Sequence, residues 1–103
     1  MREKVIENKL KKAVKEKGGL CLKFVSPGFD GVPDRIILMP GGIMAFAELK
    51  APGKKLRPLQ ERRKRQLEAL GFLVFCIDNT ECIGGVLDEI CTAQLPNLRH
   101  RIY

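Results

Sequence analysis

Tryptophan is absent from the 103 residues, and tyrosine and histidine occur once each. The single histidine, His100, lies near the end of the sequence, which leaves little basis for imidazole acid–base or nucleophilic chemistry. All the phenylalanines except Phe29 fall in apolar, strand-like runs and read as core. A stacking platform for single-stranded nucleic acid is therefore not expected. The cysteines Cys21, Cys76, Cys82 and Cys91 have no C-x-x-C spacing and sit in apolar surroundings. They read as reduced, buried thiols of a cytoplasmic protein rather than as a zinc site or a disulfide frame. No apolar run approaches the ~18 residues that cross a bilayer, and charge recurs from Arg2 to Lys17. Neither a membrane span nor a secretory leader is expected.

What the chain does have is positive charge, unevenly placed. It carries 19 basic and 12 acidic residues, for a net charge of +7 and a pI near 9.5. Residues 1–17 are net +4, residues 18–53 are neutral, residues 54–66 are net +6, and the remainder is net −3. Such a balance favours a polyanionic partner, of which nucleic acid is the commonest. An apolar fraction of 45% over this length suits one globular domain, residues 1–103, with a core over about 3–92 and a tail over 93–103.

The apolar spacing predicts a helix over 3–17, stopped by Gly18-Gly19. Strands follow over 20–25, 34–39 and 43–50, the last two joined by a tight Pro40-Gly41-Gly42 turn. Pro58 opens a second helix that runs to about Leu70. Residues 72–77 read as a fully buried strand, and a last helix, capped by Asn79 or Thr80, reaches about Thr92 despite Gly84-Gly85. Three antiparallel strands and a fourth added in parallel through a helical crossover make an α/β fold: a four-stranded mixed sheet flanked by helices.

The hairpin gathers the chemistry. If its turn centres on Gly41, Asp34 lies opposite Glu48 on one sheet face, and Lys50 points to the same face. A one-residue slip in the turn would break that pairing. Two opposed carboxylates repel, and a divalent cation offsets the repulsion; Mg²⁺ takes one or two carboxylates with water and substrate phosphate. With an adjacent lysine this becomes a site for metal-assisted phosphodiester hydrolysis. The plainer alternative is a salt bridge between Lys50 and one of the two acids.

Gly31-Val32-Pro33-Asp34 followed by Glu48-Leu49-Lys50, after a helix carrying Glu7 and before a helix carrying Gln60, resembles the VRR-NUC branch of the PD-(D/E)XK nucleases. The likeness covers about residues 3–92, including the KFVSPGFDGVPD and ELKAPG stretches and the element order. It implies the αβββαβ core of the restriction-endonuclease-like fold. It implies that Asp34, Glu48 and the Leu49 backbone carbonyl hold Mg²⁺, for which Mn²⁺ substitutes, and that Lys50 serves the nucleophilic water. Glu7 would be an outer carboxylate acting through water or a second ion, with Glu3 its competitor one turn earlier. Gln60 would position water or phosphate. The resemblance also implies a bacterial or phage-infected cytoplasm as the setting.

Lys54, Lys55, Arg57, Arg62, Arg63, Lys64 and Arg65 follow the E-L-K triplet with only Glu61 and Glu68 to pair with them, and are expected to bind phosphates, joined by Lys23 and Ser26. The expected partner is duplex or branched DNA, including a Holliday-type junction, cut by a homodimer because one site per chain cuts one strand. The last helix (Val86, Leu87, Ile90) and the tail are the candidate dimer surface. The competing function is a non-catalytic, basic DNA- or RNA-binding module.

Overall fold

The structure is a computed structural model that describes residues 2–93. Helix α1 (Glu3–Glu16) leads into strand β1 (Leu20–Lys23), followed by β2 (Arg35–Met39) and β3 (Ile43–Leu49). Helix α2 (Pro58–Ala69), strand β4 (Val74–Ile77) and helix α3 (Ile83–Ala93) complete the order. The sheet runs β1-β2-β3-β4, with the first two pairings antiparallel and β3–β4 parallel. This is the mixed sheet that the element order predicts.

The core lies on one sheet face. Ile6, Leu10 and Val14 form the apolar stripe of α1, and Ile83, Leu87 and Ile90 form that of α3. Both stripes pack on Ile37, Ala45, Ala47, Leu49 and Ile77. Gly19 lets α1 turn tightly onto the sheet, since a Cβ there would lie 2.4 Å from the Leu38 carbonyl oxygen. Helix α2 buries no residue and lies against the other face, where Gln60 reaches Glu48.

Several expectations change. Strand β4 is an edge strand, shorter than predicted, and it leaves Cys76 exposed rather than buried on both faces. The other three cysteines are half-buried; all four are free thiols. Helix α3 starts at Ile83, after a turn in which the Asn79 side chain accepts the Cys82 N–H at 2.9 Å. Its glycine pair is tolerated because both glycines face outward while the Ile83, Leu87 and Ile90 stripe is buried. Leu87 and Ile90 are core, so they are not a dimer surface. The proposed tail lies almost wholly outside the described residues.

Candidate active site

The β2–β3 register pairs Arg35 with Ala47 through to Met39 with Ile43. One step beyond the Arg35–Ala47 pair, away from the turn, Asp34 and Glu48 stand opposite each other, as a Gly41-centred turn requires. The Asp34 N–H donates to Glu48 Oε1 at 3.1 Å, and the Leu49 N–H donates to Asp34 Oδ1 at 3.1 Å. Lys50 continues the chain beyond β3 with its N–H on the Ile77 carbonyl, and its Nζ lies 3.7 Å from Glu48 Oε2. Gln60 Nε2 donates to the same Glu48 oxygen at 3.0 Å.

Gln60 holds that direction for a reason. It is the third residue of α2, and its Oε1 accepts the Arg57 N–H at 2.9 Å. Capping the helix with the carbonyl oxygen turns the amide nitrogen toward the carboxylate.

Burial pushes the Asp34 carboxyl above its ordinary range, partly offset by the Leu49 N–H, Arg35 and Lys50. Burial also raises Glu48, reinforced by the Asp34 charge and opposed by Lys50. Proximity in a half-dry site therefore disfavours the doubly ionised pair, and a bound cation would relieve it. A cavity of about 480 Å³, bordered by residues 30–32, Asp34, Glu48, Arg57 and Gln60, opens onto these acids.

Glu7 is not drawn into this group. Its carboxylate accepts from Arg35 on β2 and lies 3.4 Å from Lys4 Nζ. Burial alone would raise its pKa, but Arg35, with Lys4 and Lys11, more than offsets this and holds it below the ordinary value. Glu3 is the α1 acid whose charge acts on Glu48. Among the described residues no three acidic, histidine or cysteine side chains cluster as a metal-holding group.

The basic run divides. Lys54, Lys55, Lys64 and Arg65 border an open groove of about 460 Å³ beside Cys76 and Asp78. Arg57 sits instead at the cavity over the acids. The four consecutive cations are not all unpaired: Lys64 bonds Glu68, Arg65 lies 3.7 Å from Glu61, and Arg63 is held by the loop before β2. The Arg63 guanidinium stacks 3.8 Å above Phe29 and its Nε donates to the Asp30 carbonyl. Arg62 alone of the four is exposed with no partner among the described residues. Ser26 is half-buried in the same loop; Lys23 is exposed on β1 but shares the sheet face of Arg35, away from Asp34 and Glu48.

Sequence reasoning missed Arg35. Its signal was parity: it alternates with Ile37 and Met39 on the core face, and Glu7 shares the helix face of Leu10 and Val14. A charge on each apolar stripe calls for a mutual partner.

A mixed sheet with two acids, a lysine and a glutamine at the C-terminal end of β3 defines the PD-(D/E)XK class of nuclease folds. A phage protein described as "Putative nuclease p44", from Acyrthosiphon pisum secondary endosymbiont phage 1, is 46% identical over 90 residues, spanning 87% of this chain and 96% of that protein. A solved VRR_NUC domain superposes with a TM-score of 0.78 at 25% identity, covering 84% of this chain and 94% of that one. No family model matches the chain. The chain belongs to the VRR-NUC nuclease family. Among the described residues no helix is long and apolar enough to cross a membrane.

Proposed function

We propose that this protein is a metal-dependent DNA endonuclease that hydrolyses phosphodiester bonds in duplex or branched DNA, as a homodimer. The observation that carries the reading is the Asp34–Glu48 pair: a half-buried and a buried acid, both with raised pKa values, bordering one cavity beside Lys50. Nothing in a salt bridge requires the second acid.

The donor set is all oxygen, comprising the two carboxylates and the Leu49 carbonyl, which suits a hard cation: Mg²⁺, with Mn²⁺ as substitute. Such an ion supplies positive charge at the phosphate and lowers the pKa of water. Lys50 Nζ orients the attacking water and offsets the charge that develops on the phosphate. Gln60 Nε2 fixes Glu48 and offers a donor at the cavity wall. Arg57, Arg62 and the groove of Lys54, Lys55 and Lys64 hold the DNA backbone through its phosphates. Glu7 stands outside this group and reaches it only through Arg35.

One site per chain cuts one strand, so paired cuts across a symmetric junction need two chains. The exposed apolar side chains of Leu20, Leu22 and Val25, at and just after edge strand β1, support a surface for a second copy better than α3 does.

The test incubates the protein with a four-way junction and with linear duplex, in Mg²⁺, Mn²⁺ or EDTA, alongside sedimentation of the free protein. Metal-dependent cleavage and a two-chain species are expected. Binding without any metal-dependent cleavage would instead assign the protein to the basic binding modules.

A further inference from the structure

We infer that Arg35 is a positioning residue that ties α1 to the catalytic strand end: it bridges Glu7 and the backbone of Asp34, so that Glu7 serves the site as the anchor of this bridge and not as a metal ligand. Among the described residues, Arg35 and Glu48 are the buried charged ones, at 7% and 8% exposure. Arg35 sits at a core-facing position where its neighbours in the alternation are Ile37 and Met39. A guanidinium there is costly to desolvate unless its donors are used.

Its donors are used asymmetrically. Nη2 meets Glu7 Oε2, and Nη1 donates to the Asp34 carbonyl oxygen at 3.1 Å, while Nε is buried with no partner among the described residues. An apolar residue would fill the space without leaving a donor orphaned. What the arginine adds is the link itself.

The link ends where orientation matters. The Asp34 carbonyl also accepts the Phe24 N–H from the β1 side at 2.8 Å. The Asp34 N–H is held by Glu48, and its carboxylate by Leu49. The peptide on each side of Asp34 is thus fixed, and Arg35 is the only one of these contacts that reaches a helix. Glu7, already neutralised by Arg35 and Lys4, has little charge left to offer a cation.

The consequence for metal binding rests on the proposed function, but the test begins without metal. Amide hydrogen exchange is measured by NMR on the metal-free protein and its Arg35→Lys and Glu7→Gln variants. Mn²⁺ binding is then titrated by calorimetry. Arg35→Lys keeps a charge for Glu7 but loses the fork that reaches both partners. The Asp34 and Leu49 amides should exchange roughly tenfold faster than in the parent, as for loss of one charge-assisted hydrogen bond. The Ile37 and Ala45 amides at the sheet centre should keep their protection, and Mn²⁺ affinity should fall several-fold. Glu7→Gln should shift the same two amides in the same direction, by less.

Uniform loss of protection across the sheet in both variants would make Arg35 a stability residue only and overturn the inference. So would a Glu7→Gln variant that loses Mn²⁺ binding with its amides unchanged, since that is how a ligand behaves. If the amides respond as expected but the parent binds no Mn²⁺, the positioning role stands and the metal reading of the site fails.

Discussion

Asp34 and Glu48 are held in register by each other's neighbourhood: the Asp34 N–H bonds the Glu48 carboxylate, and the Leu49 N–H bonds the Asp34 carboxylate. Each acid is thereby positioned by the backbone of the opposite strand. The arrangement fixes two negative charges side by side in a half-dry setting, which stores repulsion in the metal-free protein.

Removing one charge should therefore separate stability from activity. Asp34→Asn is expected to raise the midpoint of thermal unfolding of the metal-free protein at neutral pH by a few degrees. It should also lower metal-dependent cleavage by roughly two orders of magnitude or more. Differential scanning calorimetry and a cleavage time course on the same preparation check the pair. An Asn variant both less stable and fully active would mean that Asp34 is a structural acid.

The sign of the pH effect follows from the same two groups. Both bind protons more tightly folded than unfolded, so between their unfolded and folded pKa values the native state holds more protons. Their contribution to stability is present below the unfolded values, 3.8 and 4.5, and is lost as pH rises through the raised folded values. Glu7, held low, works the opposite way: its contribution is present above its unfolded value and is lost as pH falls through the depressed folded one. Metal binding competes with protons for Asp34 and Glu48. The rise in unfolding temperature on adding Mg²⁺ should be larger at about pH 8 than at about pH 5. Thermal scans at fixed ionic strength test this, and a pH-independent shift would place the ion elsewhere.

Much of this site was legible because its geometry follows from a short turn and an alternation. Gly41 centres the hairpin, the apolar runs on either side have period two, and the opposition of Asp34 and Glu48 follows. Arg35 was not legible in the same way, because a cation at the first position of a strand reads as a solvated end until its parity is compared with Ile37 and Met39. The exposure of Cys76 depends on β4 being an edge strand that α2 covers only in part, which local sequence does not encode. Arg63 paired with Phe29 is a contact between residues far apart in sequence, and a charge run on a helix gives no hint of it.

Gln60 should show a split effect. Gln60→Leu keeps the bulk but removes the acceptor for the Arg57 N–H and the donor to Glu48. A loss of about 1 kcal/mol in stability is expected from the uncapped helix start. Gln60→Glu keeps the acceptor for the cap but places a third negative charge against Glu48. It should retain more stability in Mg²⁺ than in EDTA, relative to the parent. Chemical denaturation in the two buffers reads this difference, and equal losses in both would remove Gln60 from the charge environment of the site.

Gly31 supports the cavity wall through its backbone. Its φ is +86°, and a Cβ there would lie 2.7 Å from Leu59 Cγ. Gly31→Ala should cost about 1–3 kcal/mol through strain and a displaced Leu59. It should also weaken the Arg63 stack on Phe29 and disturb residues 30–32 at the rim of the cavity. The measurement is stability by denaturant together with the Phe29 ring shifts by NMR. A neutral substitution would show that the loop does not depend on this turn.

Arg62 and Arg63, adjacent in sequence, should differ in kind. Arg62 is exposed and has no partner among the described residues, so it is free to meet a phosphate, whereas Arg63 is committed to Phe29 and Asp30. Arg62→Ala is expected to weaken DNA binding across all sequences and to reduce the dependence of log affinity on log salt by about one unit, the counterion released by one phosphate contact. Arg63→Ala should leave that slope near the parent value and act instead through the loop, lowering stability and blurring the wall beside Asp34. Binding isotherms over a series of salt concentrations, on the same duplex, separate the two. Were both variants to flatten the slope equally, Arg63 would have to leave Phe29 on meeting DNA, and the loop before β2 would be part of the moving surface and not a fixed wall.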